Sequence, residues 1–172
     1  MPAATQPVYG ATLQQQDAPG FELTDQNGTP VSLTSLRGRV VLLTFMDPQC
    51  QLLCPVLGRD IGALEQALPK GLHPTLLIVS VAPGRTIKDV NAFIAREHPG
   101  WESGWHWLLG PSRAALDLTF ARWHIAVQPT AGDINHDAVL ELIDPQGYLR
   151  ATFPAPLPID DVVHAVTTIA HE

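Results

Sequence analysis

Cysteine is scarce in this 172-residue chain: there are two, Cys50 and Cys54, four positions apart. A disulfide-stapled scaffold is excluded, and one intramolecular bridge is the most the chain can form. Lysine is equally scarce, with only Lys70 and Lys88, and Lys plus Arg total 10 against 17 Asp plus Glu. No basic patch exists to neutralise phosphates, so nucleic acid is excluded as an expected partner. No apolar run approaches the ~20 residues of a membrane-spanning helix, and the N-terminus shows neither a charged n-region nor an apolar h-region. Internal repeats and low-complexity tracts are missing too. Core-forming material, by contrast, is plentiful: 45% of residues are hydrophobic, ample for one domain. The polar, Pro- and Gln-containing start, residues 1–20, reads as a tail or tether, and residues 21–172 as the domain.

The two cysteines lie in the most structured-looking stretch, VVLLTFMDPQCQLLCP, from Val40 to Pro55. Val40 to Phe45 reads as a strand buried on both faces. Pro48 breaks it, because proline cannot donate to a central ladder and biases its predecessor away from helix. Pro55 is placed to begin a helix that Val56, Leu57, Ile61, Leu64 and Leu68 continue at helical spacing. Both thiols therefore fall at a strand-to-helix junction, where unpaired N–H groups and the helix dipole favour thiolate over thiol. At this spacing they can form a disulfide or grip one metal ion. A purely stabilising bridge is the weaker reading, since closing so short a loop removes little unfolded-state entropy.

In chain order, Phe21–Leu23 and Val31–Leu33 read as two short strands around a tight turn for which Asn27-Gly28 supplies the positive φ angles. After the helix from Pro55 to Leu68, Thr75–Val81 is a second fully buried strand, so strand, helix and strand form a parallel crossover. Ala82-Pro83-Gly84-Arg85 follows, on the same sheet edge as the cysteine loop, and the two loops should face each other. A helix over Ile87–Glu97, a short strand over Trp105–Leu109 and a helix over Ser112–Trp123, capped by Ser112, come next. Residues 125–134 read as an irregular loop. Strands over Asp137–Ile143 and Leu149–Phe153 form a hairpin, and a helix over Asp160–His171 ends the chain. This order of elements is α/β and thioredoxin-like: a mixed central sheet flanked by helices, with an added N-terminal β-hairpin and an inserted strand and helix.

The same residues carry a resemblance. FELTDQNGTPVSLTSLRGRVVLLTF, the Cys-x-x-x-Cys-Pro of Cys50, Cys54 and Pro55, then SVAPGR, WHWLLG and NHDAVLELIDPQG resemble, in order, the landmarks of the Sco/SenC proteins. The resemblance implies a thioredoxin-like copper-binding metallochaperone for cytochrome c oxidase assembly. It places Cu(I) or Cu(II) on Cys50, Cys54 and His136. Thiolates suit Cu(I) and imidazole also suits Cu(II), so such a set can hold both. It implies an extracytoplasmic location, in the periplasm or on the outer face of the cell membrane, with an anchor upstream of Pro2. The expected partner is the copper-bearing oxidase subunit or another copper chaperone, and the expected state is a monomer. His73, His98, His106, His124, His164 and His171 read as loop, helix-end or core residues, with no paired ligand at metal-site spacing.

Departures from the family pattern are local. Ala82-Pro83-Gly84-Arg85-Thr86 stands where Asp-Pro-x-Arg-Asp is usual, removing two acidic groups. Asp47-Pro48 replaces an aromatic and Thr, Gln51 replaces a common Pro, and Asp137 replaces a small hydroxyl residue. Asp47 is expected to stabilise its turn. Two other functions use the same cysteines. A thiol–disulfide oxidoreductase is the main alternative, although Cys-x-x-Cys and a cis-proline before the late strand are its usual marks and Asn135-His136 occupies that place. A thiol peroxidase would want Thr-x-x-Cys, and residue 47 is Asp. On the leading reading the chain transfers metal and is not an enzyme.

Overall fold

The two apolar runs form the strands expected of them, because every residue in each is buried and the branched side chains fill both faces of the sheet. In the computed structural model, which describes residues 15–102 and 104–172, the elements are as follows. Strand β1 (Gln16–Asp17) precedes a hairpin of β2 (Glu22–Thr24) and β3 (Pro30–Ser32); then come β4 (Val41–Met46), α1 (Leu53–Ala67), β5 (Thr75–Ser80), α2 (Ile87–Glu97), β6 (Trp105–Leu108) and α3 (Arg113–Trp123). The chain continues through β7 (Val127–Pro129), β8 (Ile134–His136), β9 (Val139–Ile143), β10 (Tyr148–Pro154) and α4 (Ile159–Ala170). The main sheet runs β1-β10-β9-β4-β5-β6, with β4, β5 and β6 parallel and β9 antiparallel to β4. It is the mixed thioredoxin-like sheet.

Two apolar layers sandwich that sheet. On one face Leu42, Leu76, Ile78, Leu140 and Leu142 meet Leu57 and Ile61 of α1, Phe93 of α2 and Val162 and Val166 of α4. On the other, Val41, Leu43, Phe45, Leu77 and Val79 meet Leu116, Phe120 and Trp123 of α3 and Phe21, Leu23 and Val31 of the hairpin. The alternation along β4 thus sends successive side chains into different cores.

The N-terminal hairpin is more than an appendage. Leu109 N–H donates to Thr24 O at 2.9 Å and Trp107 N–H to Gln26 Oε1 at 2.8 Å, which covers the free edge of β6. Its turn differs from the expectation. Gly28 alone of the Asn27-Gly28 pair has positive φ (79°). The bend is held instead by the Asp25 carboxylate, which accepts from Asn27 N–H and Thr29 N–H, each at 2.9 Å. The other Asp25 oxygen lies 3.0 Å from His106 Nδ1, so this histidine is occupied by a hydrogen-bond partner away from the cysteines.

Three sequence expectations are corrected. Residues 125–134 are not an irregular loop throughout: β7 pairs antiparallel with β8 in a two-stranded ribbon, register Val127↔His136. The late strand begins at Val139, so His136 belongs to that ribbon rather than to the main sheet. Within residues 1–20, Gln16–Asp17 pairs with Leu149 and Tyr148 of β10; the first 14 residues of the expected tail lie outside the described residues. Elsewhere His98 and His124 occupy left-handed positions that end α2 and α3, the helix-end role read for them. Among the described residues, no helix is long and apolar enough to cross a membrane.

Candidate metal centre

The parallel pairing of β4 and β5 puts their C-terminal ends side by side, so the loops after Met46 and Ser80 emerge at one pole of the sheet. Facing loops were the expectation, and they are tied directly. Val81 N–H donates to Met46 O at 3.0 Å. Arg85, at the end of the second loop, grips Asp47 in the first, with Nε 2.8 Å from Oδ1 and an NH2 group 2.9 Å from Oδ2. The Gln49 amide donates to Asp89 Oδ1 at 3.0 Å, and Asp89 in turn accepts from Thr86 N–H at 2.8 Å at the start of α2.

Within this brace the cysteine loop folds back onto α1. Cys50 N–H donates to Asp47 O at 3.1 Å, forming the turn that Pro48 begins. Cys54 is the second residue of α1, and its N–H donates to Cys50 Sγ at 3.5 Å, while Asp47 N–H donates to Cys54 Sγ at 3.5 Å. The sulfurs are sheltered, at 6% exposure for Cys50 and 0% for Cys54. Their acidities are driven apart. A hydrogen bond from the Cys54 thiol, helped by the N–H groups of Cys54, Leu52 and Leu53, brings Cys50 down to about 5 against the opposing effect of burial. The same hydrogen bond, with burial, pushes Cys54 up. Cys50 is thus the more acidic of the two.

The ribbon brings the third residue in from the other side of the pole. Its base is closed twice: Asp137 N–H donates to Ala126 O at 3.1 Å, and Ala126 N–H donates to Asp137 Oδ2 at 2.8 Å. His136 Nδ1 lies 2.9 Å from Asp137 O. A carbonyl only accepts, so Nδ1 carries the proton, and in the neutral ring Nε2 keeps a bare lone pair. That Nε2 is 3.6 Å from Cys54 Sγ. A metal-binding imidazole ordinarily has its second nitrogen donating in this way.

Cys54 therefore adjoins both Cys50 and His136. The trio is chained through Cys54 and not closed into a cage: among the described residues no group of three or more His, Cys, Asp or Glu stands ready to hold a metal ion together. These three positions are legible in the sequence; the brace around them is not. No local pattern marks Arg85, Gln49 and Asp89; the one signal in the sequence is that Arg85 and Asp47 fall in two loops expected to face each other. With Ala82 and Thr86 in place of acids, one carboxylate still reaches Arg85, that of Asp47 from the cysteine loop itself.

A dithiol at the N-terminus of the helix after the first parallel strand, with an imidazole aimed at it from a separate ribbon, defines a thioredoxin-like protein equipped for soft-metal or thiol chemistry. The chain belongs to the SCO1/SenC family, whose sequence model matches residues 10–171. It is 28% identical over 163 residues to a candidate copper-binding protein of Stutzerimonas stutzeri, covering 91% of this chain and 78% of that one. The structure of BsSco, described as a member of the Sco family of cytochrome c oxidase assembly proteins with a disulfide switch, has TM-score 0.81 at 22% identity and covers 95% of this chain and 98% of its own. Bradyrhizobium japonicum ScoI with copper bound has TM-score 0.74 at 23% identity, covering 89% and 99%.

Proposed function

We propose that this protein binds one copper ion through Cys50 Sγ, Cys54 Sγ and His136 Nε2 and passes it on during assembly of cytochrome c oxidase. The observation that carries the reading is the bare Nε2 of His136 3.6 Å from Cys54 Sγ, its tautomer fixed by Asp137 O. Two sulfurs suit Cu(I), and the imidazole adds the harder donor that Cu(II) favours. The copper is cargo. Its recipient is the copper-bearing oxidase subunit or another copper chaperone, and the protein works as a monomer outside the cytoplasm.

Copper stoichiometry and the absorption spectrum of the reduced protein test this. Wild type takes up about one equivalent and shows a thiolate-to-Cu(II) band. His136→Ala loses that band yet retains Cu(I) on the two thiolates, whereas Cys50→Ser and Cys54→Ser lose both properties. Matching melts and circular dichroism establish that each variant is folded. No copper bound at near-equimolar amounts, or an unchanged Cu(II) spectrum in His136→Ala, refutes the assignment.

Thiol–disulfide exchange by the same pair is the second reading, favoured by the lowered pKa of Cys50 beside a protonated Cys54. His136→Ala separates the two, because that imidazole is a ligand in the first and no redox group in the second.

A further inference from the structure

Copper binding as proposed gives no part to the most heavily bonded residue of the cysteine loop. Asp47 is only 3% exposed, and each of its polar atoms points either at Arg85 or at the cysteine loop. Both carboxylate oxygens take Arg85, in a two-pronged ion pair. Oδ1 also accepts Gln49 N–H at 3.0 Å. The main-chain N–H reaches Cys54 Sγ at 3.5 Å and the carbonyl takes Cys50 N–H at 3.1 Å. A second arginine braces the same loop from α2, where an Arg96 NH2 group donates to Cys50 O at 3.3 Å. Arg85 is the only one of the two that meets a buried carboxylate.

We propose that Arg85 is a positioning residue for the Cys50–Cys54 pair, acting through Asp47: its guanidinium fixes the turn that aims both sulfurs and cancels the carboxylate charge buried beside them. Arg85 itself never touches a sulfur. Without it, an unpaired, buried carboxylate would sit in the turn whose main chain bonds Cys54 Sγ and Cys50 N–H, loosening that turn and opposing the negative charge the pair takes up on reduction. With it, the turn and the local charge are set together. The assignment concerns the thiols in the metal-free protein, so it stands or falls separately from the copper reading.

The test is the equilibrium between the Cys50–Cys54 disulfide and glutathione, in which two glutathione thiols supply two electrons and leave as glutathione disulfide. It is measured by alkylation and mass on metal-free protein. Arg85→Met is expected to shift the equilibrium toward the protein disulfide by about tenfold, the scale of one unpaired charge buried in the same turn. Arg85→Lys, which keeps the charge but not the fork, should shift it less. The double variant Asp47→Asn/Arg85→Met removes both charges and should return to within about threefold of wild type. A bracket that merely holds the fold would leave the double variant at least as perturbed as Arg85→Met, in step with its melting temperature. That outcome overturns the proposal, as does an unchanged equilibrium in Arg85→Met. Should Arg85→Met fail to fold, the other two variants decide: Arg85→Lys must lie toward the disulfide and the double variant near wild type.

Discussion

Replacing Glu141 with glutamine should make the protein more stable at pH 8 and leave it nearly unchanged at pH 4.5. Glu141 lies in the middle of β9, opposite Leu43 of β4 and Thr152 of β10, 5% exposed, with the Thr152 hydroxyl donating to Oε2. Burial raises its pKa from 4.5 to about 7, and the hydrogen bond from Thr152 only partly offsets this. The sign follows from which state holds the proton. Below about pH 4.5 the carboxyl is protonated in both folded and unfolded chains, so burial of the neutral acid costs little. Between 4.5 and 7 the unfolded chain gives up its proton first, and stability falls with rising pH until the folded form also ionises. The full penalty, present above about pH 7, is on the order of 3 kcal/mol. Glutamine keeps an oxygen for Thr152 and has no charge to bury. In urea titrations at several pH values, the stability of Glu141→Gln relative to wild type should therefore grow by about 3 kcal/mol from pH 4.5 to 8, or roughly 10 °C in Tm for a chain of this size. Taking the difference cancels the other titrating groups. A difference that does not change with pH refutes the argument.

Two further outcomes can be checked quickly. Alkylation of Cys50 should already be near its maximal rate at pH 7 and inflect toward pH 5, while Cys54 reacts only after unfolding; a Cys50 rate that climbs through about 8.5, the ordinary thiol value, contradicts the junction described above. Gly62→Ala should lower stability by about 1–3 kcal/mol even though alanine favours helix, because a β-carbon there would overlap the Pro99 carbonyl oxygen. A raised melting temperature would show that the close approach of α1 to that loop is not required.

Much of the scaffold is legible in the sequence, for identifiable reasons. Val40–Phe45 and Thr75–Val81 are continuous branched apolar runs, and such runs have few alternatives to central parallel strands. Once those strands and the intervening helix are placed, the facing of the two loops follows from topology. Ser112 caps α3 as its sequence implies, accepting Ala115 N–H at 3.2 Å. What could not be read depends on partners distant in sequence. Gln16 and Asp17 have no strand-like side chains and enter the sheet through backbone pairing with β10. Val127-Gln128-Pro129 and Ile134-Asn135-His136 are too short to show a period and include a proline. They pair because Val127 and Ile134 pack against the apolar layer that holds α3. The Asp47–Arg85 pair spans 38 positions, with no local pattern to announce it.

The same contrast between strong and weak local preference separates the three residues of the proposed site. The sulfurs belong to an element with strong local preference: β4 and α1 are anchored on both sides by core, and the junction between them is braced by Arg85. His136 belongs to one with weak preference, a pair of three-residue strands outside the main sheet. A lone two-stranded ribbon of that size has little independent stability; this one relies on Val127, Ile134 and the paired bonds between Ala126 and Asp137. The groove of ≈ 280 Å³ between the ribbon and α3, lined in part by Val81, Phe120, Val127 and Ile134, means the ribbon is not packed solid along its inner side. Displacing the imidazole then costs a few surface contacts, whereas displacing a sulfur costs the fold of the junction. On the proposed copper reading, exchange with a recipient would begin at the histidine and end at the sulfurs.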